Sequence, residues 1–107
     1  MIQVVVKRKK DSVREVTVSG HAESAPKGED LICAAVSVLV QTLYFSLEKL
    51  INVNCNANIH DGYFSVLLPL NMPEQERKNV GLLVDSMLIG MQEINRSYPG
   101  FLEVTEE

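Results

Sequence analysis

Residues 53–70 constrain the fold of this 107-residue chain more than any other stretch. Val53, Cys55, Ala57 and Ile59 alternate strictly with Asn54, Asn56, Asn58 and His60, and the dipeptide Asp61-Gly62 follows. Strict alternation places one set of side chains on each face of a strand. Asp-Gly supplies the left-handed backbone that a two-residue type I′ hairpin turn requires. Closing the hairpin there pairs His60 with Tyr63, Ile59 with Phe64, Ala57 with Val66 and Cys55 with Leu68. Each apolar residue then meets an apolar residue, so pattern and turn agree on one register with an inward apolar face. A sheet with antiparallel pairing is required, and it needs helices to cover it.

The remaining elements follow from periodicity. Residues 2–7 and 13–19 are valine-rich, and the polar segment 8–12 joins them into a second hairpin. Val16 and Val18 alternate with Glu15, Thr17 and Ser19, which marks one buried and one wet face. From about residue 31 to 50, Ile32, Ala35, Val36, Leu39, Val40, Leu43, Leu47 and Leu50 form a stripe at helical spacing. Ala34, Val38 and Phe45 add a second apolar zone, which predicts a homodimer. A second helix opens at Pro73, read as its first helical position, with Glu74 and Glu76 at the positive end of its dipole. Its stripe runs through Val80, Leu83, Val84, Met87, Leu88, Met91 and Ile94 to the stop at Pro99-Gly100. Gly81 and Gly90 weaken that helix and suggest close packing. A last strand covers residues 101–105. The expected fold is a single α+β domain over residues 1–107, in the order β-β-α-β-β-α-β, with two helices on a mostly antiparallel sheet.

Composition narrows the function. With 10 basic and 14 acidic side chains the net charge is −4, which gives no direct nucleic-acid partner a basic footprint. No apolar run reads as long enough to span a bilayer, and no signal peptide is recognisable, so neither a membrane role nor export is expected. Two cysteines without close spacing fit a reducing compartment, and a cytoplasmic location is expected.

The chemistry concentrates between Gly20 and Ser37. Gly20 ends a strand and places His21. Residues 22–28 carry no large apolar side chain to anchor them, which predicts a mobile loop ending at Gly28. Asp30 reads as a helix N-cap, putting Cys33 at the third helical position. A helix N-terminus favours a thiolate, its unpaired N–H groups suit an oxyanion, and an imidazole can hold the proton. His21 and Cys33 therefore form a candidate dyad.

Plainer readings stand beside this one. Cys33 is equally a small buried hydrophobe, and His21 alone reads as a hydrogen-bonded structural residue. Asp30 either caps the helix or orients His21. Ser37 either lines a site or bonds back to the carbonyl four residues earlier. Cys55 reads as an inert core thiol and His60 as a surface residue. A zinc site from Cys33, Cys55, His21 and His60 lacks the usual ligand spacing, and no cofactor motif occurs. A thiol-redox role lacks a nearby resolving cysteine. A non-catalytic dimeric ribosome-assembly or binding protein is the competing functional class.

Gly20-His21-Ala22, then Gly28, Asp30 and the run from Leu31 through Cys33 to Ser37, resemble the signature of the ribosomal-processing cysteine protease family, Prp, of Firmicutes and related bacteria. The resemblance covers essentially the whole chain. It implies a cysteine endopeptidase that removes a short N-terminal extension from the precursor of large-subunit ribosomal protein twenty-seven, without a cofactor. It implies His21 and Cys33 as the catalytic pair, with Gly20, Gly28, Asp30 and Ser37 supporting or binding substrate. It further implies a loop that closes over substrate, and a homodimer.

Overall fold

In the computed structural model, residues 1–26 and 30–107 are described. The order is β1 (Ile2–Lys9), β2 (Ser12–Ser19), α1 (Leu31–Lys49), β3 (Asn56–His60), β4 (Tyr63–Leu67), α2 (Glu74–Ser97) and β5 (Leu102–Glu106). The five strands make one sheet in the order β3-β4-β2-β1-β5. All neighbours are antiparallel except β1 and β5, which run parallel. This is the α+β architecture expected from the sequence.

Valines build the centre of the sheet. Val4, Val6, Val16 and Val66 are fully buried, and Leu47 of α1 with Val80, Val84 and Met91 of α2 close the core from the helix layer. Val13 is buried together with Val16 and Val18, although a regular strand would put Val13 and Val16 on opposite faces. The pairing explains it: Lys7 faces Glu15 but Arg8 faces Val13, so β2 carries one extra residue there. That bulge rotates Val13 back to the apolar side.

The register across Asp61-Gly62 is the one the alternation requires: His60 faces Tyr63, Ile59 faces Phe64, and Ala57 faces Val66. Two parts of that reading change. β3 starts at Asn56, so Cys55 does not enter the ladder with Leu68. β3 is also an edge strand, and Ile59 remains 52% exposed instead of buried, because its side chain lines an open cleft. Pro73 is the residue before the first turn of α2 and not within it, and Glu74 and Glu76 do occupy that turn.

α1 is long and apolar enough, by length and composition, to cross a bilayer, contrary to the sequence reading. That reading counted unbroken apolar residues. No charged side chain occurs between Leu31 and Leu47, and the interspersed Ser, Gln and Thr weigh little. In the fold, Ile32, Val36, Val40, Leu43 and Leu47 form its buried stripe.

The two α2 glycines differ. A Cβ at Gly90 would lie 2.8 and 2.9 Å from the two Leu39 methyls, so α1 packs closely on α2 at Gly90. A Cβ at Gly81 would touch nothing within 4 Å, so close packing does not explain it. Gly81→Ala should therefore stabilise the protein by about 0.5–1 kcal/mol, the helix-propensity gain. Gly90→Ala should not, because Leu39 must yield. Urea unfolding midpoints of the two variants check this; equal gains would contradict the packing difference.

Candidate active site

Three neighbouring chain segments converge at one end of the sheet: the exit of β2, the β3–β4 turn, and the first turn of α1. They line a cleft of about 660 Å³ that includes Gly20, His21, Asp30, Cys33, Ser37 and residues 59–64.

The exit of β2 needs glycine. Gly20 has φ +91, and a Cβ there would lie 2.5 Å from the backbone oxygen of Met1. Its N–H donates to the Gly62 carbonyl at 2.9 Å, tying the segment before His21 to the hairpin turn. His21 is exposed. The Nε2 end of its ring lies over Gly62, 2.6 Å from where a Cβ would stand.

Asp30 starts α1 and does more than cap it. One carboxylate oxygen accepts from the N–H groups of Ile32 and Cys33 at 3.1 and 3.0 Å. The same carboxylate accepts from the Ser24 hydroxyl and, at 2.9 Å, from the Ser24 N–H. These donors, the Ser24 hydroxyl foremost, hold the Asp30 carboxyl well below the usual carboxylate range. Of the two readings of Asp30 the cap is the one seen; among the described residues it makes no bond to His21.

Cys33 is the third residue of α1 and is half-buried. Its Sγ accepts the Ala22 N–H at 3.2 Å. Ala22 itself is buried in the core. The expectation that nothing anchors the segment after His21 thus fails at both Ala22 and Ser24. A methyl group suffices to fill a core position, and a serine can bind a cap carboxylate; neither shows as a hydrophobic anchor in the sequence. Lys27 and Gly28, part of the expected loop and site, lie outside the described residues. Ser37 lines the cleft and its hydroxyl accepts from Gln41 Nε2 at 2.6 Å, instead of bonding back along the helix.

His21 and Cys33 thus share the cleft, yet among the described residues no hydrogen bond joins them. Cys55 sits outside the cleft, and burial first, then Glu48, pushes its thiol up. Among the described residues no three His, Cys, Asp or Glu side chains group to hold a metal ion.

The family model of cysteine protease Prp matches residues 1–103. The chain belongs to this family. It is similar to the ribosomal processing cysteine protease Prp of Bacillus subtilis, at 29% identity over 112 residues, covering 98% of this chain and 96% of that protein. Its fold is similar to the crystal structure of the ribosomal processing protease Prp from S. aureus in complex with a covalently linked product peptide. The TM-score is 0.86 at 22% identity, with 100% of both chains covered. SMU.848 from Streptococcus mutans is also similar, with TM-score 0.77 at 31% identity over 99% of this chain and 93% of that one.

With the Prp family established, three cleft features absent from the sequence reading gain interest. Ser24 on Asp30 was hidden because nothing in the sequence links a loop serine to a cap. Gly62 read only as a turn residue. His60 stacks on Tyr63 with ring centroids 5.6 Å apart, at the cleft rim, where alternation alone made it a plain surface residue.

Proposed function

We propose that this protein is a cysteine endopeptidase that removes an N-terminal extension from the precursor of large-subunit ribosomal protein twenty-seven in the cytoplasm, with His21 and Cys33 as the catalytic pair. One observation carries the reading: in a chain of the Prp family, the Cys33 thiol at the start of α1 shares a cleft with His21, the residue that leaves β2 beside it.

Substrate binds extended in the cleft, and the His21 imidazole turns toward Cys33 while the backbone on either side of it stays tied at Gly20 and Ala22. The Cys33 thiol gives its proton to the imidazole, and the thiolate attacks the scissile carbonyl carbon. The Ile32 and Cys33 N–H groups already donate to Asp30, so the oxyanion is held by N–H donors that the cap leaves free, each well-aimed one contributing roughly 3 kcal/mol. The imidazolium returns its proton to the leaving amine as the C–N bond breaks, leaving a thioester on Sγ. Water, deprotonated by His21, then hydrolyses the thioester and restores the thiol. The unjoined pair in the free protein fits this sequence, since catalytic hydrogen bonds often tighten only with substrate. Gly20 and Asp30 support the pair through backbone and cap, and Ser37 lines the substrate path.

The functional form in this proposal is a homodimer built on the outer face of α1. Leu31, Val38 and Phe45 recur every seven residues and are 80%, 63% and 45% exposed, with no charge among them. Val38→Glu should shift sedimentation from dimer to monomer while the fold is retained; an unchanged wild-type dimer would place the interface elsewhere.

The deciding assay incubates the purified protein with a synthetic precursor peptide and reads fragment masses. A single cut leaving the mature N-terminus supports the reading. An intact peptide alongside tight binding would favour a non-catalytic assembly factor.

A further inference from the structure

We propose that Gly62 is a positioning residue for His21: the β3–β4 turn is the seat of the imidazole, and it must lack a Cβ for the dyad to form. The proposal rests on the His21–Cys33 reading above and adds a residue to it.

Two independent contacts converge on Gly62. Its carbonyl accepts the Gly20 N–H at 2.9 Å, fixing the peptide that leads into His21. Its Cα face carries the ring of His21, with Nε2, Cε1 and Cδ2 at 2.6, 3.1 and 3.3 Å from an added Cβ. Such contacts are closer than a side chain tolerates, so any L-residue other than glycine must push the ring away. The ring is exposed and, among the described residues, makes no hydrogen bond that would hold it elsewhere. Gly62 thus sets both ends of the side chain, backbone and ring, from one turn.

A plain turn role also explains glycine here, because φ at Gly62 is +72. The two roles separate by substitution. Asparagine tolerates left-handed backbone but brings the same Cβ. Gly100 serves as control, since its φ is +97 and a Cβ there meets nothing within 4 Å. A ring moved by about 1 Å is enough to slow the chemistry by up to about a hundredfold.

The test uses the full chain and a precursor peptide. Gly62→Asn should lower kcat by about 10- to 100-fold with KM nearly unchanged. Gly100→Asn should leave both parameters as in wild type. If Gly62→Asn folds poorly, proton NMR of the wild-type protein decides: a Gly62 Hα should show cross-peaks to the His21 ring. A folded Gly62→Asn with wild-type kcat, or a raised kcat, would overturn the seat, as would missing cross-peaks. Failure of the dyad reading itself looks different, because Cys33→Ala would then still cut the peptide, and the positioning role would fall with it.

Discussion

Cys33→Ala should abolish cleavage of the precursor peptide, a loss of about 10⁴-fold or more, while the protein melts at nearly the wild-type temperature. The side chain is half-buried and its removal deletes one sulfur, so packing loss is small. The Ala22 N–H that donates to Sγ loses its acceptor and turns to water at the cleft wall. The proposed mechanism, by contrast, loses its nucleophile. His21→Ala should fall short of that loss, by about 10²- to 10⁴-fold in kcat, because the thiolate can still form without a neighbouring base at higher pH. Raising the assay pH should then recover part of the His21→Ala rate and none of the Cys33→Ala rate. The protein has an internal control in Cys55, whose thiol burial and Glu48 push up. Iodoacetamide at neutral pH should label Cys33 ahead of Cys55, read by peptide mass mapping. Cleavage by Cys33→Ala at the wild-type rate would eliminate the thiol mechanism.

Gly20→Ala carries the largest expected effect on the fold near the site. Two penalties add: the residue must hold φ +91, and its Cβ would stand 2.5 Å from the Met1 oxygen. The first costs about 1–3 kcal/mol for a residue with a side chain. The second cannot be relieved by a rotamer change, since the struck atom is backbone next to the start of β1. Either β1 or the β2 exit must shift, and the Gly20–Gly62 hydrogen bond shifts with them. Against a typical stability of about 5–15 kcal/mol, a melting temperature lower by on the order of 10 °C is expected. Activity should fall further than stability, because His21 moves with Gly20. A Gly20→Ala protein with wild-type melting and kcat would show that this corner relaxes freely.

Much of this was legible in the residues. Asp61-Gly62 and the alternation around it set the register, because side-chain period and turn geometry admit one pairing. Asp30 was readable as a cap and Cys33 as the third helical residue, because capping is local chemistry within one turn. The errors share a cause as well. Ile59 was assigned inward by alternation, which tells the faces of a strand apart but not whether a helix covers that part of the sheet. The alternation read for Val16 and Val18 did not extend to Val13, whose burial depends on the β2 bulge opposite Lys7 and Arg8. Ala22 and Ser24 were judged unanchored because their hydrogen-bond partners, Cys33 and Asp30, lie 11 and 6 residues on, at spacings that no period encodes.

The sequence by itself determined the elements, their order, the hairpin register and the thiol at a helix start, since each follows from interactions within a few residues. Only the tertiary structure decided that β5 pairs with β1, that Ser24 shares the Asp30 carboxylate, and that the β3–β4 turn lies beneath His21. The first and last are meetings between distant segments, set by how the sheet order folds the chain onto itself, and the second depends on the path of an irregular connection that has no period to read. The glycine that closes the hairpin could be recognised from its neighbours in sequence; that it also leaves room for an imidazole could be known only from its neighbours in space.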